Sequence, residues 1–266
     1  MYCQSITSYL RNEREAIEDI HSKLHDKRPA MVVCYYTEDY CAAKLFGAMQ
    51  TLFPHTPFHG ASSCRAVMTD TGFHVGPVVA VFVIYDESNT NAYGTGIGNY
   101  DHPHLCLKER VFDTLLSAAQ QADRVGEIPS LILLHTTPGD EEPVIAAIDE
   151  HFGTLVPVIG GSAADNNIEN RWSIFTNQGH CRNGLSMTLF YSSTSIYTSF
   201  SSGHVTTPLS GIATQVNGRK LEKIDNCPAL EIYEKWTGLN FDEYDEERSL
   251  FKLSNAYPLG RKAGQV

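Results

Sequence analysis

The chain carries its own repeat, and that constrains its architecture more than any other feature. Shifted by 100 residues, Met31-Val32-Val33-Cys34 falls on Leu131-Ile132-Leu133-Leu134 and Thr37 falls on Thr137, two apolar runs that each end in a polar turn. At the same shift Pro57-Phe58-His59-Gly60-Ala61-Ser62 falls on Pro157-Val158-Ile159-Gly160-Gly161-Ser162, where proline, glycine and serine coincide. Such self-similarity is the mark of a duplicated unit. Farther along the correspondence drifts, with 80–85 matching 186–191 and Tyr93 matching Tyr197, as hairpin loops of unequal length allow.

Between the matched strands of each unit lies a helical pattern. Residues 40–53 place Ala42, Leu45, Phe46, Met49 and Phe53 on one face, and 141–152 do the same with Val144, Ile145, Ile148 and Phe152. Asp140, Glu141, Glu142 and Pro143 stand where a helix start favours acids and proline. Each unit therefore reads strand, helix, strand, hairpin. That order demands a right-handed crossover between parallel strands, whereas the later, closely spaced strands can pair antiparallel. The expected fold is α/β with α+β character: internally duplicated strand-helix-strand-hairpin units forming mixed β-sheets flanked by helices.

The units span about 29–100 and 129–205, and a helix over 105–124 joins them through an apolar stripe of Val111, Phe112, Leu115, Leu116 and Ala119. The N-terminal segment, 1–28, holds a helix over 11–24 with Ile17, Ile20 and Leu24 inward. Strands over 211–216 and 220–224 flank Asn217-Gly218, a type I′ turn signal. A short helix over 228–236 starts at Pro228 and stops before Gly238. One domain is thus expected over 29–220. Residues 221–266 are expected to begin a second, cut short after the acidic loop 241–248 and one apolar segment, 250–257.

Composition narrows the function classes. With 42% hydrophobic and 19% charged residues, the chain can bury enough apolar surface to offset its entropy, so general disorder is excluded. A net charge of −11 repels a phosphate backbone and argues against nucleic-acid binding. The longest apolar stretch, 78–85, is about half the length of a membrane span and rich in β-branched residues, so it reads as a buried strand. The N-terminus has no apolar signal region, and the expected compartment is the cytoplasm, with no membrane partner. Seven cysteines without any Cys-x-x-Cys argue against both a disulfide framework and a zinc ribbon.

Candidate sites follow from local chemistry. Gly160-Gly161-Ser162-Ala163-Ala164-Asp165-Asn166 joins exposed amides to a carboxylate and an amide side chain at a strand end, where crevices of α/β sheets bind ligands. The same residues also suit a tight turn in which Asp165 and Asn166 bond their own backbone. The corresponding stretch of the other unit offers Gly60, Ser62, Ser63 and Arg65, the last able to grip a carboxylate in bidentate fashion. Gly94-Thr95-Gly96-Ile97-Gly98 lacks the spacing of a dinucleotide fingerprint. His102-Pro103-His104-Leu105-Cys106 could converge on a metal if extended, or simply enter a helix. Cys64 and Cys181 could serve a cysteine-dependent enzyme only beside a histidine base. His135, His180 and His204 are candidate axial ligands for haem iron, or ordinary solvated or core-bonded histidines.

The paired Pro-x-x-Gly strand ends, the Gly160 to Asn166 loop, and Asp225-Asn226-Cys227-Pro228-Ala229-Leu230-Glu231-Ile232-Tyr233-Glu234-Lys235-Trp236-Thr237-Gly238 together resemble the FIST sensory-domain family. The resemblance runs from about residue 29 to the end, with an N-terminal family domain to about 220 and the start of its C-terminal domain beyond. It implies a non-enzymatic input module of signal transduction that binds a small ligand such as an amino acid. For some members it implies haem, nitric-oxide sensing and a histidine-kinase partner. The loop Ser201-Ser202-Gly203-His204 departs from relatives that place histidine before glycine. No catalytic constellation comes with the resemblance.

Overall fold

The computed structural model describes residues 1–25, 27–101, 105–201, 203–241 and 255–261. The chain divides into two compact units, Met1–Ser199 and Phe200–Val266. The first holds two copies of one chain path. Copy one runs β1 (Tyr2–Ser8), α1 (Glu13–Ser22), β2 (Met31–Thr37), α2 (Ala42–Leu52), β3 (Phe58–Ser63), β4 (Ala66–Thr69), β5 (Gly72–Val75) and β6 (Val79–Tyr85). Copy two runs β7 (Ala92–Asn99), α3 (Leu107–Gln121), β8 (Leu131–Thr136), α4 (Glu141–Phe152), β9 (Val158–Ser162), β10 (Ile174–Thr176), β11 (Gly179–Cys181) and β12 (Gly184–Tyr191).

Both copies build the same sheet. Strand β2 lies parallel to β3 and antiparallel to β6, and β8 lies parallel to β9 and antiparallel to β12. Strands β1 and β7 then pair antiparallel with β6 and β12. Apolar faces of α1 and α2 cover the outer side of the first sheet through Ile17, Ile20, Leu45 and Met49. Val111, Leu115, Val144 and Ile148 of α3 and α4 cover the second. Met31, Val33, Ile84 and Leu133 meet between the sheets, giving four layers in the order helix, sheet, sheet, helix.

The mixed sheets and flanking helices agree with the expected fold class, but the repeat is longer than the sequence suggests. Its first element is β1, within a segment expected to offer only a helix, and its counterpart is β7. The helix at 107–121 is therefore not a linker but the counterpart of α1. Tyr93 belongs to β7 of copy two, and Tyr197 lies in an irregular exposed stretch, so the two do not correspond. Strand β1 escapes a pattern search because Gln4-Ser5-Ile6-Thr7-Ser8 has little apolar alternation. Its seven-residue pairing with β6 imposes the extended form.

Copy two adds a feature to copy one. Its hairpin β10-β11 leaves its own sheet and pairs antiparallel with β3, so the sheets have the orders β1-β6-β2-β3-β10-β11 and β7-β12-β8-β9. Gly60 makes this fit: a Cβ there would stand 2.3 Å from the buried Phe175 ring. The alternating Gly94, Gly96 and Gly98 have a packing role. A Cβ on Gly94 would lie 1.9 Å from the Ala118 carbonyl oxygen, and one on Gly96 2.3 Å from that of Thr114, so α3 rests directly on the β7 backbone.

The second unit contains β13 (Ala213–Asn217), β14 (Lys220–Ile224), β15 (Cys227–Pro228) and α5 (Ala229–Thr237). Asn217 pairs with Lys220, so the turn residues are Gly218-Arg219. Only Gly218 has positive φ, 55°, which suits a type II′ turn rather than the expected I′. Gly238 takes the left-handed conformation that ends α5. The acidic run 242–247 lies outside the described residues, as does most of 250–257.

Candidate functional site

The duplication brings the two glycine-containing strand ends together. Ala164 N donates to Ser62 O at 2.9 Å and Ser62 Oγ to Ala164 O at 2.8 Å. Ser173 N donates to Ser62 Oγ, and Arg65 N to Asn166 Oδ1 at 2.7 Å. Residues expected to bind a ligand from both units thus do meet, but they bind one another. Asp165 is buried and its carboxylate accepts from the amides of Asn167, Ile168, Glu169 and Arg171. Burial raises the Asp165 pKa, but those amides outweigh it and hold the group below the ordinary carboxylate value. Asn166 N is taken by Glu38 at 2.7 Å. Of the remaining candidates, Ser63 Oγ donates to Ala66 O and Ser162 Oγ to Glu141 Oε1 at 2.6 Å. Gly160, Gly161 and the Arg65 side chain are exposed.

Between the sheets sits a polar chain that the sequence did not announce. Tyr35 Oη lies 3.1 Å from His135 Nε2, His135 Nδ1 3.0 Å from His59 Nε2, and His59 Nδ1 2.8 Å from Thr188 Oγ1. Ser186 Oγ is 2.8 Å from His59 Nε2. One neutral assignment satisfies all four ring nitrogens: Tyr35 donates to His135, His135 to His59, and His59 to Thr188. Burial drives His135 down to about 4 and His59 well below its ordinary value, and it pushes the Tyr35 phenol up to about 12. The chain is therefore uncharged at neutral pH, and it ties equivalent positions 35 and 135 of the two copies across the core. That shift of 100 was the available signal, hidden because the two residues differ.

A cleft of about 390 Å³ opens between β7-α3 and the β10-β11 hairpin, so its walls come from both sheets. Arg110 and Asp113, one turn apart on α3, bring charges of both signs to it, beside Ser117, Asn99, His180 and Cys181. The Arg110 side chain donates to the Leu105 carbonyl and is almost fully buried. Close by in the chain, the Tyr100 hydroxyl is buried without a hydrogen-bond partner among the described residues. A second cleft of about 390 Å³ lies by Pro54, His55, Tyr93, Gln121 and Asn177. Both volumes suit a small metabolite.

Of the three histidines considered for haem, His135 does not fit one. An axial ligand needs a ring nitrogen facing an apolar slot. Both His135 nitrogens are engaged, His204 Nε2 lies 3.1 Å from Asn255 O, and the His180 ring packs tilted against Phe46. The metal reading of His102-Pro103-His104 lies outside the described residues. Among the described residues, no group of three or more His, Cys, Asp or Glu side chains is placed to hold a metal ion. Cys181 is buried, which pushes its thiol up to about 12, against the thiolate a nucleophile needs. Cys64 is exposed, and no histidine hydrogen-bonds to it among the described residues.

A family model described as FIST N domain matches residues 30–226, about three quarters of the chain. The chain belongs to this family. FIST domains are sensory domains of signal transduction, and the match spans β2 through β14, leaving out β1 and α1 of copy one. No curated protein matches the chain closely enough to add a relative. Among the described residues, no helix of this FIST domain is long and apolar enough to cross a membrane.

Proposed function

We propose that this FIST domain is a non-enzymatic input module that senses a small zwitterionic ligand, such as an amino acid, in the cleft walled by α3, β7 and β11. The observation that carries this reading is that Arg110 and Asp113, opposite in charge, line the same wall of the cleft. A guanidinium suits a carboxylate in bidentate geometry, and Asp113 suits an ammonium group. A ligand held there touches elements of both sheets, so its binding energy can change how the copies pack. A signalling partner such as a histidine kinase would read that change. On this reading the Ser62, Asp165 and Asn166 loops are joints between the copies rather than ligand contacts.

Thermal unfolding against a panel of amino acids tests it. Ligand at 100 times its dissociation constant stabilises by about 2.7 kcal/mol. An amino acid should raise the melting temperature, while its N-acetyl and carboxamide derivatives, each lacking one charge, should not. Asp113→Asn should remove the response to the amino acid. Absence of any shift across the panel, or equal shifts with the derivatives, would refute the proposal.

A further inference from the structure

The two copies treat their parallel edge strands differently. Strand β3 is covered by the hairpin β10-β11, whereas β9 ends its sheet with no partner on its outer side among the described residues. The groups that β10 engages on β3 are known: Asn177 N donates to Phe58 O at 3.1 Å, Ser62 N donates to Ser173 O at 2.9 Å, and Phe175 faces Gly60. Strand β9 presents the equivalent set. Ile132 N donates to Pro157 O and Ala163 N to Thr136 O, so odd-numbered β9 residues bond inward to β8. By alternation the backbones of Val158 and Ser162 face outward, on either side of Gly160, whose φ of 134° departs from the extended form at Gly60. No lysine, arginine or proline within Val158–Ser162 guards this edge.

Copy one also owns the matching hairpin. Val67-Met68-Thr69-Asp70-Thr71-Gly72 in β4-β5 corresponds to Ile174-Phe175-Thr176-Asn177-Gln178-Gly179 in β10-β11. Yet β4-β5 stands as a separate two-stranded sheet, with Met68 78% and Phe73 71% exposed. Connection length explains why. Eleven residues, 163–173, join β9 to β10, but only Cys64 and Arg65 join β3 to β4. Three residue steps span at most about 10 Å, roughly one sheet-to-sheet distance, which leaves nothing for passing around β9 to its outer side.

We propose that the outer edge of β9 receives the β4-β5 hairpin of a second copy of this chain, and that the exchange is reciprocal across a twofold axis. The register transfers from the internal pair: Val67 opposite Gly161, Met68 opposite Gly160 and Thr69 opposite Ile159, with the Met68 side chain over Gly160 as Phe175 lies over Gly60. Charges agree as well. Arg171, just before β10, lies 3.9 Å from Glu38, which follows β2. Arg65 stands just before β4, and Glu141, which follows β8, has its carboxylate beside Ser162 at the end of β9. The arrangement reproduces between molecules a contact the chain already makes within itself, and it is isologous, so it closes as a dimer.

Light scattering during size-exclusion chromatography of the full chain tests this. The expected mass is twice 29.5 kDa. Ser162→Pro deletes one outward N–H and should give a monomer, while Ser162→Ala keeps that N–H and should stay dimeric. Phe73→Asp on the hairpin should also give a monomer. If Ser162→Pro fails to fold, Phe73→Asp and a cross-link decide: Thr69→Cys with Ile159→Cys, with the exposed native cysteines changed to serine, should oxidise to a disulfide between chains. A monomeric wild type at high micromolar concentration, a dimer indifferent to both edge and hairpin variants, or a Thr69→Cys/Ile159→Cys disulfide within one chain would each overturn the proposal.

Discussion

The two copies of the repeat share a topology and reach it by different packing. Copy one separates α1 from its sheet with side chains: Ile6 of β1 packs with Ala16, Ile17 and Ile20. Copy two removes side chains from the strand instead, so that Gly94, Gly96 and Gly98 of β7 bring α3 against the backbone. A duplicated fold thus preserves strand order and direction while leaving the thickness of each layer free to vary. What cannot vary is the middle, where Tyr35 and His135, at equivalent positions, close a shared polar chain between the sheets. Buried polar groups of this kind are costly unless all are satisfied, which makes the sheet-to-sheet register specific.

The largest expected effect is at the glycine pair 60 and 160. At Gly160, with φ of 134°, a Cβ would stand 1.8 Å from the Leu134 carbonyl oxygen. Gly160→Ala should therefore cost at least about 4 kcal/mol in denaturant unfolding. At Gly60 the obstacle is a side chain, the Phe175 ring, so Gly60→Ala should cost less, about 2 kcal/mol. Equal losses would mean that the two strand ends are not as different as their surroundings indicate.

The loop beside the seam comes next. Asp165→Ala leaves four backbone amides without their acceptor and should cost about 3 kcal/mol. Because the folded Asp165 pKa lies below its unfolded value, that stability is present above about pH 4 and is lost as pH falls through the folded value. The histidine pair adds a separate acid dependence. His135 titrates at about 4 in the folded protein against about 6.5 unfolded, so between these values the unfolded chain binds more protons. Stability should fall by up to about 3 kcal/mol as pH drops from about 6.5 to 4, and the His59→Leu/His135→Leu double variant should flatten that slope in thermal melts. A slope unchanged in the double variant would place the acid sensitivity elsewhere.

The smallest effect separates packing from hydrogen bonding at the seam. Ser62→Ala removes a hydroxyl that donates to Ala164 O and accepts from Ser173 N, at a cost of about 1.5 kcal/mol by denaturant titration. A loss comparable to that of Asp165→Ala would make the Ser62 contacts across the seam worth as much as the hydrogen bonds within the Asp165 loop.

Much of the architecture was legible because periodicity and turn chemistry are local. The runs of β2, β3, β8 and β9, their intervening helices and the glycine ends of both copies stand out at a shift of 100 residues. Strand β1 was not legible, since a polar stretch becomes a strand only when β6 supplies its partner. Nor was the part played by the glycines of β7, because close helix approach leaves the same sequence trace as a flexible loop. The candidate cleft was the least legible. Arg110 and Asp113 look like ordinary helix charges until β11 closes over them.

The sequence by itself determined the duplication and the layered class of fold, since these follow from spacing. Only the tertiary structure decided which groups are used up and which stay available. Asp165, Ser62 and Asn166 are polar and suit a ligand as residues, yet folding aims Ser62 and Asn166 at backbone groups of the facing copy and Asp165 at the amides of its own loop. His59 is silent in the sequence and becomes central once the sheets stack. The physical reason is the same in each case: a buried polar atom must find a partner, and only the packed chain settles which partner is within reach.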